Sequence, residues 1–222
     1  MDHKQVVIDG EHIALSRLEA HCREFVGELL PADVAHDITH IERVVKVAKQ
    51  LAEEEGANIW VVLAGAWLHD CVSVPKNHPD RPRASQMAAD KAIDFLRTLS
   101  FFPARYLDDV AHAIVAHSFS ANVKPETVEA QIVQDADRMD AIGAIGVARC
   151  MKVGGRLDRP LYHSEDPFCE DREPEDLKYT LDHFYVKLLH IAQSMGTEAA
   201  KREAQRRTEY MEGFLKQLAT EL

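Results

Sequence analysis

Apolar residues recur at helical spacing along most of this chain, and alternating β-branched runs are scarce. The spacing predicts helices over residues 11–30, 38–55, 58–70, 84–99, 103–117, 126–152, 174–194 and 197–220. Pro31, Gly56, Pro75 to Pro82, Pro103, Pro125 and Gly154 to Pro174 punctuate them. The expected class is therefore all-α. One segment stands apart. Ile59 to Leu68 is apolar throughout and closes on His69-Asp70. A carboxylate and an imidazole at the end of such a run need a partner, because an unpaired buried charge costs several kcal/mol, roughly.

Two connections are longer than packing requires. Residues 72–83 carry Lys76, His78, Arg81 and Arg83, and residues 154–174 carry Arg156, Arg159, Tyr162 and His163. Long loops in a compact helical protein are often binding loops, with a plain solvated connection as the alternative.

Composition narrows the function. With 222 residues and 46% hydrophobic content, the chain can bury one sizeable core. Its net charge of −11 argues against coating a nucleic-acid polymer, which needs clustered Lys and Arg. It leaves room for a small phosphorylated substrate, since a bound cation reverses the local field. The four cysteines, Cys22, Cys71, Cys150 and Cys169, form no CxxC and read as reduced thiols. Residues 1–10 lack a secretory h-region and no apolar stretch approaches a membrane span, so a cytoplasmic location away from membranes is expected.

A divalent metal is one partner that would satisfy His69 and Asp70 together. His40, beside the stripe Ile41, Val44, Val45, Ala48 and Leu51, is a further candidate, although a lone His there is more often a hydrogen-bonded core residue. Asp137 shares a helix face with Val133 and is expected to be the most inward of Asp135, Asp137 and Asp140. Asp135 reads as solvated or salt-bridged, and Asp140 as a support one turn on. An HD dipeptide alone is weak evidence, and a second occurs at His36-Asp37. His69-Asp70 differs because it ends a helix, where the macrodipole favours a cation. His36 to His40 also has HxxxH spacing with Asp37 where a zincin carries Glu, but Asp37 as an N-cap would leave His36 outside the helix.

Two imidazoles and two carboxylates, without thiolate, suit Mn²⁺, Mg²⁺, Fe²⁺, Co²⁺, Ni²⁺ or Zn²⁺ with a position open to water. Metal-bound water would serve as nucleophile, with Asp70 able to accept its proton. His117 completes the face Val110, Ala113, Ile114 and so points inward, where it is a candidate to contact phosphate or protonate the leaving oxygen, the alternative being a buried, hydrogen-bonded histidine. His112 diverges from His117, which argues against a two-iron oxygenase centre. Lys76, Arg81 and Arg83 follow the HD pair and are candidates to neutralise phosphate oxygens, with a solvated cation as the alternative for each.

The ordered set His40, His69-Asp70 and Asp137 resembles the HD-domain metal-dependent phosphohydrolase superfamily, and within it the small stand-alone bacterial YedJ-like branch. The phrases that carry the resemblance are His36-Asp37-x-x-His40-x-x-Arg43-Val44, Leu68-His69-Asp70, Lys76-Asn77-His78-Pro79 and Ala113-Ile114-x-x-His117-Ser118-Phe119-Ser120. Further along are Ile132 to Arg138, Asp166-Pro167-Phe168 and Leu181-Asp182-His183-Phe184-x-x-Lys187-Leu188-Leu189. Met139 stands where the branch more often has Leu, a core swap of similar volume.

The resemblance implies a helical bundle in one HD-type domain over residues 1–222, with a core near 30–153 and C-terminal helices over 174–220 packed on it. It implies metal ligation by His40, His69, Asp70 and Asp137, and hydrolysis of phosphate esters or anhydrides, commonly of nucleotides. A homodimer is compatible with this reading. The alternative is a non-catalytic protein that holds a metal and a nucleotide for regulation. His183 and Lys187 match family positions without an assigned role.

Overall fold

The structure is a computed structural model that describes residues 3–29, 38–72, 74, 78–118 and 121–222. Nine α-helices lie among them and no strand: α1 (His3–Leu29), α2 (Ile38–Glu55), α3 (Ile59–Leu68), α4 (Ala84–Thr98), α5 (Leu107–His117), α6 (Val128–Met139), α7 (Gly143–Arg156), α8 (Asp182–Val186) and α9 (Glu198–Ala219). The chain divides into two compact units, residues 1–137 and 138–222.

The N-terminal unit is built around α3. Its residues from Trp60 to Leu68 are buried on every side, as an all-apolar helix must be. Helices α1, α2 and α5 pack against it. Its start is set by Asn58, whose side chain accepts the Trp60 amide at 3.0 Å. Helix α2 stops at Gly56, which sits at φ +65°, and the Ala57 amide reaches back to the Ala52 carbonyl at 3.0 Å. Gly65 lets α6 come close to α3, since a Cβ there would lie 2.9 Å from Val133 Cγ2. Gly65 precedes His69 by one turn, and Val133 precedes Asp137 by one turn, so this crossing sets the spacing of those two side chains.

That close approach makes a prediction. Gly65→Ala gains about 1 kcal/mol of helix propensity but overpacks a β-branched neighbour, at a cost of about 1–3 kcal/mol. The expected result is a modest loss of melting temperature together with weaker divalent-metal binding. Adding Val133→Ala should relieve both. Unchanged metal affinity in Gly65→Ala, measured by titration, would mean that the crossing does not set the cluster.

The C-terminal unit has its own core, with Leu181, Phe184 and Met211 fully buried. Here two predicted helices come out differently. The run 126–152 is not continuous. It breaks at 140–142, where Gly143 takes φ +75°, and α7 then runs on through Gly154 and Gly155 to Arg156. The carbonyl of Met139 accepts from Arg207 at 2.9 Å and that of Asp140 from Arg149 at 3.2 Å, so distant arginines satisfy the helix end.

The run 174–194 keeps only the short α8 and a 3₁₀ turn over Leu188–Ser194. The amides of Thr180 and Leu181 bond the carbonyls of Pro160 and Leu161, at 3.0 and 2.9 Å, instead of bonding back along a helix. Helix α1 begins eight residues before the predicted start, and Gly10 does not end it.

Candidate metal centre

Four helix ends bring five side chains together in the N-terminal unit. His40 comes from the first turn of α2, His69 and Asp70 from the end of α3, His117 from the last residue of α5, and Asp137 from α6. His40 Nε2 lies 3.4 Å from Asp137 Oδ1, and His69 Nε2 lies 3.8 Å from the same oxygen. His69 Nε2 is 3.7 Å from Asp70 Oδ2, and His117 Nε2 is 3.6 Å from Asp70 Oδ1. The His69 ring stands edge-on to both other imidazoles, with centroids 5.7 Å from His40 and 4.9 Å from His117. The imidazoles are buried, whereas the carboxylates of Asp70 and Asp137 remain 29% and 31% exposed. The carboxylates therefore open to solvent, and the rings lie beneath.

Local helix geometry aims the rings. The last-turn carbonyls of a helix lack amide partners. His69 Nδ1 donates to the Ala66 carbonyl at 2.8 Å, and His117 Nδ1 donates to the Ile114 carbonyl at 2.5 Å. A carbonyl only accepts, so each Nδ1 carries a proton and each Nε2 faces the cluster, where it offers a lone pair whenever the ring is neutral. Burial lowers the His69 pKa against the raising pull of Asp70, which keeps this ring neutral. Burial also acts to lower the His117 pKa, but the hydrogen bond and charge of Asp70, with the charge of Asp137, outweigh it and leave the pKa raised. A bound cation would draw on those same carboxylates and oppose that rise. Asp137 is held ionised: burial raises its pKa, but the hydrogen bond with His40 outweighs that and leaves it lowered.

The donor set fits a divalent ion. His69 Nε2 is fully buried and, among the described residues, has no hydrogen-bond partner. Such an orphan costs about 1–3 kcal/mol, which a metal bond would offset. Cys71 does not join the set, since its thiol donates to the Ala88 carbonyl at 3.3 Å and burial pushes its pKa up to about 12. His40, His69 and Asp137 form one group able to hold a metal, and His69, Asp70 and His117 form another. Both groups use the single Nε2 lone pair of His69, so that atom serves one ion at a time.

Five of the residues singled out in the sequence thus meet. Lys76, His36 and Asp37 lie outside the described residues. Asp137 is not the most inward acid, because Asp135 is 0% and Asp140 3% exposed. Asp137 is the more open because it faces the cluster, and Asp140 instead pairs with Arg149. Asp135 is not solvated. Arg81 is no free loop cation either: it donates to the Val74 carbonyl at 2.8 Å. His112 is turned to the Glu126 amide at 3.0 Å, away from the cluster. Sequence reasoning missed Gly65 and Val133 as spacers; a glycine inside an otherwise bulky apolar helix was the available signal.

The comparisons with known proteins agree with this geometry. The model of the HD domain family matches residues 37–142, a span that holds all five residues. A Bacillus subtilis protein, YpgQ, of uncharacterised function, is 32% identical over 193 residues, which is 84% of each chain. An HD-superfamily hydrolase from Bacillus thuringiensis superposes with a TM-score of 0.73 at 35% identity, covering 93% of this chain and 97% of its own. The crystal structure of YpgQ in complex with ADP superposes with a TM-score of 0.71 at 28% identity, covering 94% and 97%. Among the described residues no helix is long and apolar enough to cross a membrane. A motif in the right order, its side chains gathered at four helix ends, and near full-length relatives lead to one statement: this chain belongs to the HD domain family.

Proposed function

We propose that the protein is a metal-dependent phosphohydrolase acting on a nucleotide or another small phosphorylated metabolite. The observation that carries this reading is the buried His69 Nε2, without a hydrogen-bond partner among the described residues, facing two solvent-open carboxylates. His40, His69, Asp70 and Asp137 would hold the ion. A bound divalent ion supplies Lewis-acid chemistry, neutralising phosphoryl charge and acidifying water. The chain's own groups do the remaining work. The Ala66 carbonyl fixes the His69 tautomer, and Asp70, 3.6 Å from His117 Nε2, is placed to share a proton with it. His117 can hold that proton at Nε2 while Nδ1 stays bonded to Ile114, which suits it to protonate a leaving oxygen. The hydrolase neighbours support the reaction class, and the ADP complex of YpgQ supports a nucleotide substrate.

Phosphate and pyrophosphate release, measured over nucleotides and sugar phosphates with Mn²⁺, Mg²⁺, Co²⁺ or Ni²⁺, tests the proposal. Turnover with at least one ion, removed by EDTA and restored by metal, is expected. The product identifies monoester or anhydride cleavage. Folded, metal-loaded protein that binds nucleotide without turnover would instead make it a binding protein.

A further inference from the structure

A cavity with a largely apolar lining and several basic side chains lies wholly within residues 138–222 and shares no residue with the His/Asp cluster. Its volume is about 220 Å³. Arg149, Arg159, His183 and Lys187 line it, and no acidic residue does. In a chain of net charge −11 such a concentration of basic groups is not a drift of composition. These include His183 and Lys187, the two family-phrase residues for which the metal centre has no use.

Each basic group is held differently. Arg149 pairs with Asp140. His183 Nδ1 bonds Asp176 Oδ2 at 2.8 Å, which leaves Nε2 as its other polar atom. Arg159 donates to the Asp176 carbonyl at 2.6 Å, and among the described residues no carboxylate pairs with it. The Lys187 ammonium makes no hydrogen bond or ion pair among the described residues. Of Arg149, Arg159 and Lys187, only Arg149 pairs with a carboxylate, so the cavity carries a surplus positive charge. Helix α7 forms part of its wall through Gly146 and Gly154. A Cβ on Gly154 would lie 2.2 Å from Thr180 Oγ1, so α7 packs directly on Thr180 there. Guanidinium forks and an ammonium suit tetrahedral oxyanions. The volume falls below the roughly 300–1,000 Å³ of pockets for drug-sized ligands, which favours a small anion.

We propose that this cavity is a second anion site that binds a phosphate group, free or carried by a small metabolite, without the metal. Calorimetric titration in EDTA at fixed chloride concentration tests it, with inorganic phosphate, pyrophosphate and AMP as probes. Wild type and Asp137→Ala should bind phosphate alike. Lys187→Glu, at an exposed position with an unbonded ammonium, should weaken binding at least tenfold with an unchanged circular dichroism spectrum, and Lys187→Gln should fall between. AMP binding as tightly as phosphate would identify a phosphorylated metabolite as the occupant; weaker AMP binding would identify the free ion. The proposal is overturned by any of three results: no binding at millimolar phosphate, unchanged affinity in both Lys187 variants, or loss of binding in Asp137→Ala. None of these bears on hydrolysis, so this site and the metal centre can fail separately.

Discussion

Asp137→Ala is expected to abolish both metal binding and turnover while the protein stays folded. Asp137 Oδ1 lies 3.4 Å from His40 Nε2 and 3.8 Å from His69 Nε2, so its loss removes the group that joins α6 to the other two helices. Removing even a supporting group around a metal costs roughly 10–100-fold in affinity, and a direct ligand should cost more. Stability supplies a second readout. A ligand at 100 times its dissociation constant stabilises the native state by about 2.7 kcal/mol, so Mn²⁺ should raise the melting temperature of wild type and leave Asp137→Ala unmoved. Metal content by mass spectrometry and melts with and without ion check this. A variant that keeps its ion and its activity defeats the assignment of Asp137.

The largest effect on stability is expected far along the chain from that cluster. Asp182 is fully buried and accepts from Arg172 Nη1 and Nη2 at 2.6 and 2.8 Å and from the Glu175 amide at 2.6 Å. Asp182→Ala would leave the Arg172 guanidinium, 17% exposed, without its counter-charge. Breaking a buried pair in this way costs about 3–5 kcal/mol. Asp182→Asn keeps the shape and separates lost charge from lost packing.

The pH dependence has a definite sign. Burial raises the Asp182 pKa, but Arg172 and the Glu175 amide lower it further, leaving it below the usual carboxylate range. Its contribution is then full above the unfolded value, near ~3.9, and is lost as pH falls through the folded one. Melting temperature should therefore drop more steeply in wild type than in Asp182→Asn below about pH 4. Equal slopes would show that the pair does not control acid stability.

The same Asp182 explains why one stretch misled the helical pattern. Residues 174–194 carry apolar spacing suited to a helix, yet the Asp182 carboxylate and the carbonyls of Pro160 and Leu161 claim the amides that a helix would use. The two carbonyls lie outside the run itself. The break between α6 and α7 is similar. Gly143 hinted at it, but Arg207 and Arg149, which satisfy the freed carbonyls, come from more distant positions. Asp135, Asp137 and Asp140 show the same limit: helical phase alone ranked their burial wrongly, because a face that opens on a polar cluster is less covered than one packed on a core.

The amino-acid sequence by itself determined the all-α class, the interior placement of the helix ending in His69-Asp70, and the identity of five polar residues with no business on an apolar face. Those are matters of periodicity and residue chemistry, which act within a few residues. Only the tertiary structure decided that His40, His117 and Asp137 come within a few ångströms of that dipeptide, that Gly65 against Val133 sets the approach, and that distant arginines end helices where the pattern would run on. Distances between helices depend on how side chains interlock across contacts tens of residues apart, and no periodicity within one segment carries that information.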